Sequence, residues 1–249
     1  VRGVIAMAAM AKERGMRALI CPKENAPEAA VVQGIDIFGV RTLTEVMGLF
    51  SGEIEPEPEP VPDIEAMLQA ADAPIDFAEV RGQEGVKRAI VVAAGGGHNL
   101  VMLGPAGTGK TMMAKALPGV LPPLSPDEAI EITRIYSAAG AIPAGESLIT
   151  RRPVRTPHHT ASSPAIVGGG IIPRAGEISL AHRGVLFLDE LPEFSRNVLE
   201  TLRQPMEDHV VTLARAPGTG RFPASFMFVA AMNPTPRGDV APGEVGRRE

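Results

Sequence analysis

Leu100-Val-Met-Leu103 runs directly into Gly104-Pro-Ala-Gly-Thr-Gly109-Lys110-Thr111, and the reading of this stretch decides the fold. The apolar run predicts a buried strand and Thr111–Leu117 predicts a helix, so the glycine-rich turn joins a strand end to a helix start. Each residue type in the turn suits a phosphate. Glycines let backbone N–H groups turn inward on anionic oxygens without a Cβ in the way. The helix opening at Lys110 brings the positive end of its dipole to the same point. Lys110 then reaches the β- and γ-phosphates of a nucleoside triphosphate, and Thr111 offers its hydroxyl to Mg²⁺. The expected binding set for ATP is Gly104, Pro105, Ala106, Gly107, Thr108, Gly109, Lys110, Thr111 and Met112.

Two further apolar runs end in polar residues. Val185-Leu-Phe-Leu188 leads into Asp189-Glu190, as a parallel strand buried on both faces would, and ligands sit at the carboxyl ends of such strands. Asp189 is expected to organise Mg²⁺ together with Thr111, and Glu190 to orient or deprotonate the attacking water. Phe226-Met-Phe-Val-Ala-Ala-Met232 ends in Asn233-Pro234. An uncharged amide there suits both the γ-phosphate and the water; Asn-Pro after a strand is also a turn starter. The expected catalytic set is therefore Lys110, Asp189, Glu190 and Asn233. Upstream, Phe77-Ala-Glu-Val80-Arg-Gly82-Gln83 precedes the first helix, with Val80 and Gln83 as candidates to cradle the adenine.

Helical stretches at Val86–Ala94, Thr111–Leu117 and Asn197–Glu207 separate these strands, which argues for a mainly parallel sheet covered on both faces. Ahead of them, residues 1–50 alternate helix (Val4–Arg14, Glu24–Val32, Leu43–Phe50) with short strands (Ala18–Ile20, Ile35–Val40), reading as the C-terminal part of another α/β domain. The Pro- and Glu-rich run Ser51–Glu65 has no basic residue, and residues 51–75 read as an acidic linker. The ATPase core is then expected over 76–249.

Composition excludes several classes. A net charge of -5 gives no global basic footprint, so nucleic-acid binding would have to come from local patches. A single cysteine, Cys21, excludes an internal disulfide and fits a reducing cytoplasm. No apolar run reaches the roughly 18 residues of a membrane span. The basic-apolar start at Val1–Arg17 is broken by Lys12, Glu13 and Arg14 and reads as a helix rather than a signal peptide.

These elements in this order resemble a AAA+ ATPase, and the wording is closer still. Pro157–Thr160 (PHHT), Gly168–His182 (GGGIIPRAGEISLAH) and Gly184–Glu190 (GVLFLDE) resemble the magnesium-chelatase-like AAA+ family, in particular its YifB/ComM branch. The resemblance covers nearly the whole chain outside the linker, with residues 1–50 similar to the end of a Lon-protease-like, ribosomal-S5-like domain. It implies a P-loop NTPase with a three-layer α/β/α core, working as an ATP-driven homo-oligomeric ring, often a hexamer. For competence-associated members it implies a motor on DNA. It gives Lys110 and Thr111 the Walker A role, Asp189 and Glu190 Walker B, and Asn233 sensor 1. The family's arginine finger, second sensor arginine and lid are expected beyond Glu249, and Arg247 and Arg248 do not take those roles. Turnover by residues 1–249 alone is accordingly expected to be weak. Relatives often carry a Cys-rich stretch after the sensor Asn, whereas Pro234-Thr-Pro-Arg-Gly-Asp stands here and supports no zinc site.

Two turn-rich inserts, Gly168–Gly176 and the hairpin pattern Val210–Phe222, carry Arg174, Arg215 and Arg221. These are candidates for DNA phosphate contacts, although arginines on loops are equally well explained as solvated surface. His158 and His159 read as structural or nucleotide-sensing. The readings in competition are a DNA-directed motor, the ATPase subunit of a magnesium-chelatase-like complex that remodels a protein partner, and a slow nucleotide switch. Glu190 argues against the last.

Overall fold

The computed structural model describes residues 1–72, 75–170, 174–215 and 218–234, with 214, 215, 218 and 219 described by backbone alone. In chain order the elements are α1 (Val4–Glu13), β1 (Ala18–Pro22), α2 (Ala26–Ala29), β2 (Asp36–Val40), α3 (Leu43–Ser51), α4 (Ile64–Gln69), α5 (Glu84–Gly96), β3 (Leu100–Leu103), α6 (Lys110–Ala116) and α7 (Pro126–Ala139). They continue with β4 (Val154–Arg155), α8 (Ser163–Val167), β5 (Gly168–Gly169), β6 (Arg174–Ala175), α9 (Glu177–Leu180), β7 (Val185–Leu188), α10 (Arg196–Asp208), β8 (Val210–Arg215), β9 (Gly218–Pro223) and β10 (Met227–Met232). The chain forms two compact units: residues 1–71 with 124–150, and residues 72–123 with 151–249.

In the first unit β1 and β2 pair in parallel, Ala18 opposite Asp36. Val4, Ile5, Ala8, Ile37 and Ile132 are buried there. The continuous helix expected over Glu24–Val32 is instead a 3-10 turn at Lys23–Asn25 followed by the short α2, with Pro27 in its first turn. A proline there lacks the N–H a longer preceding helix would need.

The linker reading of 51–75 is corrected in part. Asp63 caps α4 by accepting from the Ala66 N–H at 3.0 Å, and Ile64 is buried. The Glu59 N–H donates to the Ile37 carbonyl at 2.7 Å, and Glu59 pairs with Lys23 at 2.7 Å. Composition reports the missing apolar period over such a run but does not exclude single-residue anchors.

The 76–249 boundary also differs, because α7 groups with the first unit. Ser125 and Glu128 cap α7 reciprocally, Pro126 takes its first position, and Gly140 ends it in the left-handed region. Two of its buried polar groups, Thr133 and Ser137, find partners inside that unit. Thr133 Oγ1 donates to the Ala129 carbonyl and accepts from the Ile149 N–H at 2.9 Å. The Ser137 hydroxyl donates to Glu28, whose carboxylate also accepts from the Ile5 N–H at 3.2 Å. Cys21 is buried nearby, and burial, then the carboxylates of Glu28 and Glu59, push its thiol pKa up, which keeps it a packing residue.

In the second unit β3, β10, β7 and β4 form a parallel sheet in that order. Every residue of β7 is buried, and the alternation of its side chains explains the layers. Val185 and Phe187 join α5 and α6 residues (Ile90, Ala93, Met113, Ala114) in one core cluster. Leu186 and Leu188 join Ile166, Ile178, Val198 and Leu202 of α8, α9 and α10 in another. A parallel sheet thus lies between two helical layers. Among the described residues, no helix is long and apolar enough to cross a membrane.

At the entry to β7, Gly184 lies so close to the preceding β4 segment that a Cβ would stand 2.0 Å from the Pro153 carbonyl oxygen. Gly184→Ala is therefore expected to destabilise the fold by about 2 kcal/mol, through backbone displacement in a packed core. Thermal unfolding checks this, and an unchanged melting temperature would contradict the close approach.

Candidate active site

The parallel register sets the carboxyl ends of β3, β10 and β7 side by side. Met232 pairs with Leu103, and Ala230 with Leu188. The residues that follow these strands therefore emerge along one edge of the sheet. After β3 comes the glycine-rich loop, whose first N–H, at Gly104, donates to the Met232 carbonyl at 3.2 Å. Gly107 and Gly109 sit in the left-handed region (φ 78° and 84°), where a side chain is strained. Thr108 Oγ1 donates to the Pro105 carbonyl at 2.9 Å, closing the loop on itself.

Four side chains predicted from sequence meet there in two pairs. Lys110 Nζ donates to the Gly104 and Pro105 carbonyls at 2.7 and 2.8 Å and to Asn233 Oδ1 at 3.0 Å, so two residues 123 apart in sequence meet. Thr111 Oγ1 donates to Asp189 Oδ2 at 2.6 Å. The Thr111 hydroxyl and the Asp189 carboxylate fit Mg²⁺, a hard ion that takes one or two protein oxygens and completes its shell with phosphate and water. Among the described residues, no cluster of three or more His, Cys, Asp or Glu could hold a metal by itself. Ala106 and Met112 lie exposed on the loop and on the first turn of α6.

Glu190 follows Asp189 with φ 53°, in the left-handed region that non-glycine residues seldom enter. Its N–H donates to Asp189 Oδ1 at 3.0 Å, and its carbonyl accepts from the Glu193 N–H at 2.8 Å. This tight turn holds the Glu190 carboxylate more than half exposed at the sheet edge, 3.5 Å from His159 Nδ1. Strained backbone that a surrounding turn enforces clusters at functional sites.

The two upstream candidates part company. Val80 is buried in the core cluster with Ile90, Met102 and Met113, which leaves it little surface to offer a base. Gln83 is exposed, starts α5, and donates from Nε2 to the Thr108 carbonyl at 2.7 Å, so it braces the glycine loop. Of the arginines, Arg174 lies exposed where β5 and β6 pair, and Arg221 lies exposed on β9 opposite Thr212 of β8. Arg215 ends β8 opposite Gly218, with its side chain outside the described residues, as are residues 171–173, 235–239, Arg247 and Arg248.

Sequence reasoning missed three polar anchors that join distant segments. Arg155 on β4 forms a two-pronged ion pair with Glu177 on α9 at 2.6 and 2.7 Å, at the base of the β5–β6 hairpin. Arg152 donates to the Pro122, Pro123 and Arg183 carbonyls at 2.6, 3.2 and 2.7 Å, holding the chain just ahead of β7. The third is the His159–Glu190 pair. Neither charge pattern nor local spacing announces such pairs.

A parallel sheet between helical layers, with a glycine loop, a Lys-Thr helix start and an acidic strand end at one edge, defines a P-loop NTPase fold. Residues 76–246 match the family model described as magnesium chelatase, subunit ChlI, and the chain belongs to that family. It is 45% identical over 239 residues to competence protein ComM of Haemophilus influenzae, covering 96% of this chain and 47% of that protein. It is 44% identical over 239 residues to YifB of Escherichia coli, covering 96% of this chain and 46% of that protein. The chain spans about half the length of the curated relatives it matches. A solved chain from the complex between subunits BchI and BchD of magnesium chelatase shares the fold, with a TM-score of 0.51 at 24% identity over 69% of this chain and 58% of that chain.

Proposed function

We propose that this chain is the nucleotide-binding part of a Mg²⁺-dependent AAA+ ATPase that works in a homo-oligomeric ring and acts on DNA. The observation that carries the ATPase reading is the meeting of Lys110 with Asn233 and of Thr111 with Asp189 at one sheet edge. In this reading the Gly104–Thr111 loop and Lys110 bind the triphosphate of ATP, and Thr111 and Asp189 hold Mg²⁺. Mg²⁺ would neutralise charge on the phosphate oxygens. Glu190 accepts the proton of the attacking water at its carboxylate, and Asn233 orients that water and the terminal phosphate through its amide.

The DNA reading is supported by the competence protein among the relatives and by exposed Arg174 and Arg221 on separate hairpins. The family description instead supports an ATPase subunit that remodels a chelatase partner. Phosphate release by the full-length protein, with branched DNA, single-stranded DNA, or a chelatase partner plus porphyrin, separates the two. Stimulation by DNA is expected, and each Arg174→Ala or Arg221→Ala change should flatten the log–log salt dependence of DNA binding by roughly 0.7 to 0.9. Stimulation by the chelatase partner alone would move the protein to the second reading.

A further inference from the structure

We infer that Gln83 is a positioning residue for the phosphates rather than a contact for the base. By holding the Thr108 carbonyl it sets the Thr108–Gly109 peptide so that the Gly109 N–H faces the triphosphate. The inference rests on the proposed binding of a triphosphate by the Gly104–Thr111 loop.

Its first support is the geometry of one bond. Gln83 Nε2 donates to the Thr108 carbonyl at 2.7 Å, and the chain has no cis peptide bond. In a planar trans peptide the carbonyl and the following N–H point in opposite directions. A carbonyl drawn toward Gln83, which is no part of the loop, therefore sends the Gly109 N–H the other way, toward the phosphates the loop would surround. Gly109 directly precedes Lys110, where α6 starts, so this N–H adds to the positive end of that helix.

Its second support is that packing does not fix this peptide. Gly107 and Gly109, on either side of Thr108, are both in the left-handed region (φ 78° and 84°), and a Cβ built on either would meet no atom within 4 Å. A flip of the Thr108–Gly109 peptide would carry Gly109 to negative φ, which glycine permits at little cost. The flip would turn a carbonyl oxygen on the phosphates in place of the N–H. Gln83 is placed to prevent it.

Its third support is that Gln83 is itself held. Its backbone sits in the left-handed region (φ 56°) after Gly82 (φ 70°). Its carbonyl accepts from the Val86 and Lys87 N–H groups at 2.9 and 3.0 Å, which starts α5. Val80 before it and Ile90 after it are buried in the core. The amide therefore reaches the loop from a fixed point, and the loop is positioned from the core through it.

Competition binding to the full-length protein tests this, with Mg²⁺–ATP and inorganic tripolyphosphate as the two probes and Gln83→Ala and Gln83→Met beside wild type and Lys110→Ala. Methionine keeps the length of glutamine and loses the donor. Both Gln83 variants are expected to bind both probes about 5- to 10-fold more weakly, by the same factor for each, with the melting temperature within about 3 °C of wild type. KM for ATP should rise in parallel while kcat stays within about 2-fold, because the contact is made before and during the reaction alike. A loss confined to ATP, with tripolyphosphate bound as in wild type, would make Gln83 a base contact and overturn the inference. So would wild-type affinity of Gln83→Met for both probes. Tripolyphosphate binding unchanged in Lys110→Ala would instead overturn the phosphate-loop assignment on which the inference rests.

Discussion

Lys110→Ala is expected to weaken Mg²⁺–ATP binding by about 100-fold, roughly 3 kcal/mol, and with it to abolish turnover. The ammonium is the loop's point charge for the phosphates, and two charge-assisted hydrogen bonds of 1.5–3 kcal/mol each account for an effect of about this size. The fold should survive. Lys110 is only half-buried, and the groups it bonds in this structure, the Gly104 and Pro105 carbonyls and the Asn233 amide oxygen, lie at a site water reaches. A melting temperature within about 3 °C of wild type is therefore expected beside the lost binding. Binding is read by fluorescence of a labelled nucleotide. Unchanged affinity would show that the Gly104–Thr111 loop does not hold the phosphates.

Glu190→Gln is expected to separate binding from chemistry. The amide keeps the size of the carboxylate and its place in the Asp189–Glu193 turn, so nucleotide affinity should stay within about threefold. It cannot take a proton from water, and kcat should fall by about 10²- to 10³-fold. Single-turnover phosphate release from saturated protein reads this step apart from binding and product release. A variant that hydrolysed at the wild-type rate would remove Glu190 from the chemistry.

The contrast between these predictions and the N-terminal unit shows what the sequence carries and what it does not. Val185–Leu188 and Met227–Met232 are the inner strands of the parallel sheet, whose apolar runs reflect burial on both faces, whereas Leu100–Leu103 is an edge strand on which Val101 and Leu103 stay exposed. The residues after them had to emerge at one edge, which is why Lys110, Asp189 and Asn233 were legible together. α7 was missed in the sequence, and its pattern of Ala129, Ile132 and Tyr136 specifies a buried face without naming what buries it. Its place in a unit with residues 1–71 therefore had no local signal. Val80 shows the same ambiguity on a smaller scale, since an apolar residue before a P-loop strand suits a base pocket and a core equally, and the structure buries it. β4 spans only Val154–Arg155, too short for any periodicity, so its place beside β7 was invisible until the sheet was built.

The most direct measurement is steady-state phosphate release by the full-length protein, wild type beside Lys110→Ala, with Mg²⁺ and then with the metal chelated. Release that requires Mg²⁺ and disappears in the variant is the predicted result. Release that persists in Lys110→Ala, or is indifferent to Mg²⁺, would contradict an ATPase site built from the Gly104–Thr111 loop and Asp189.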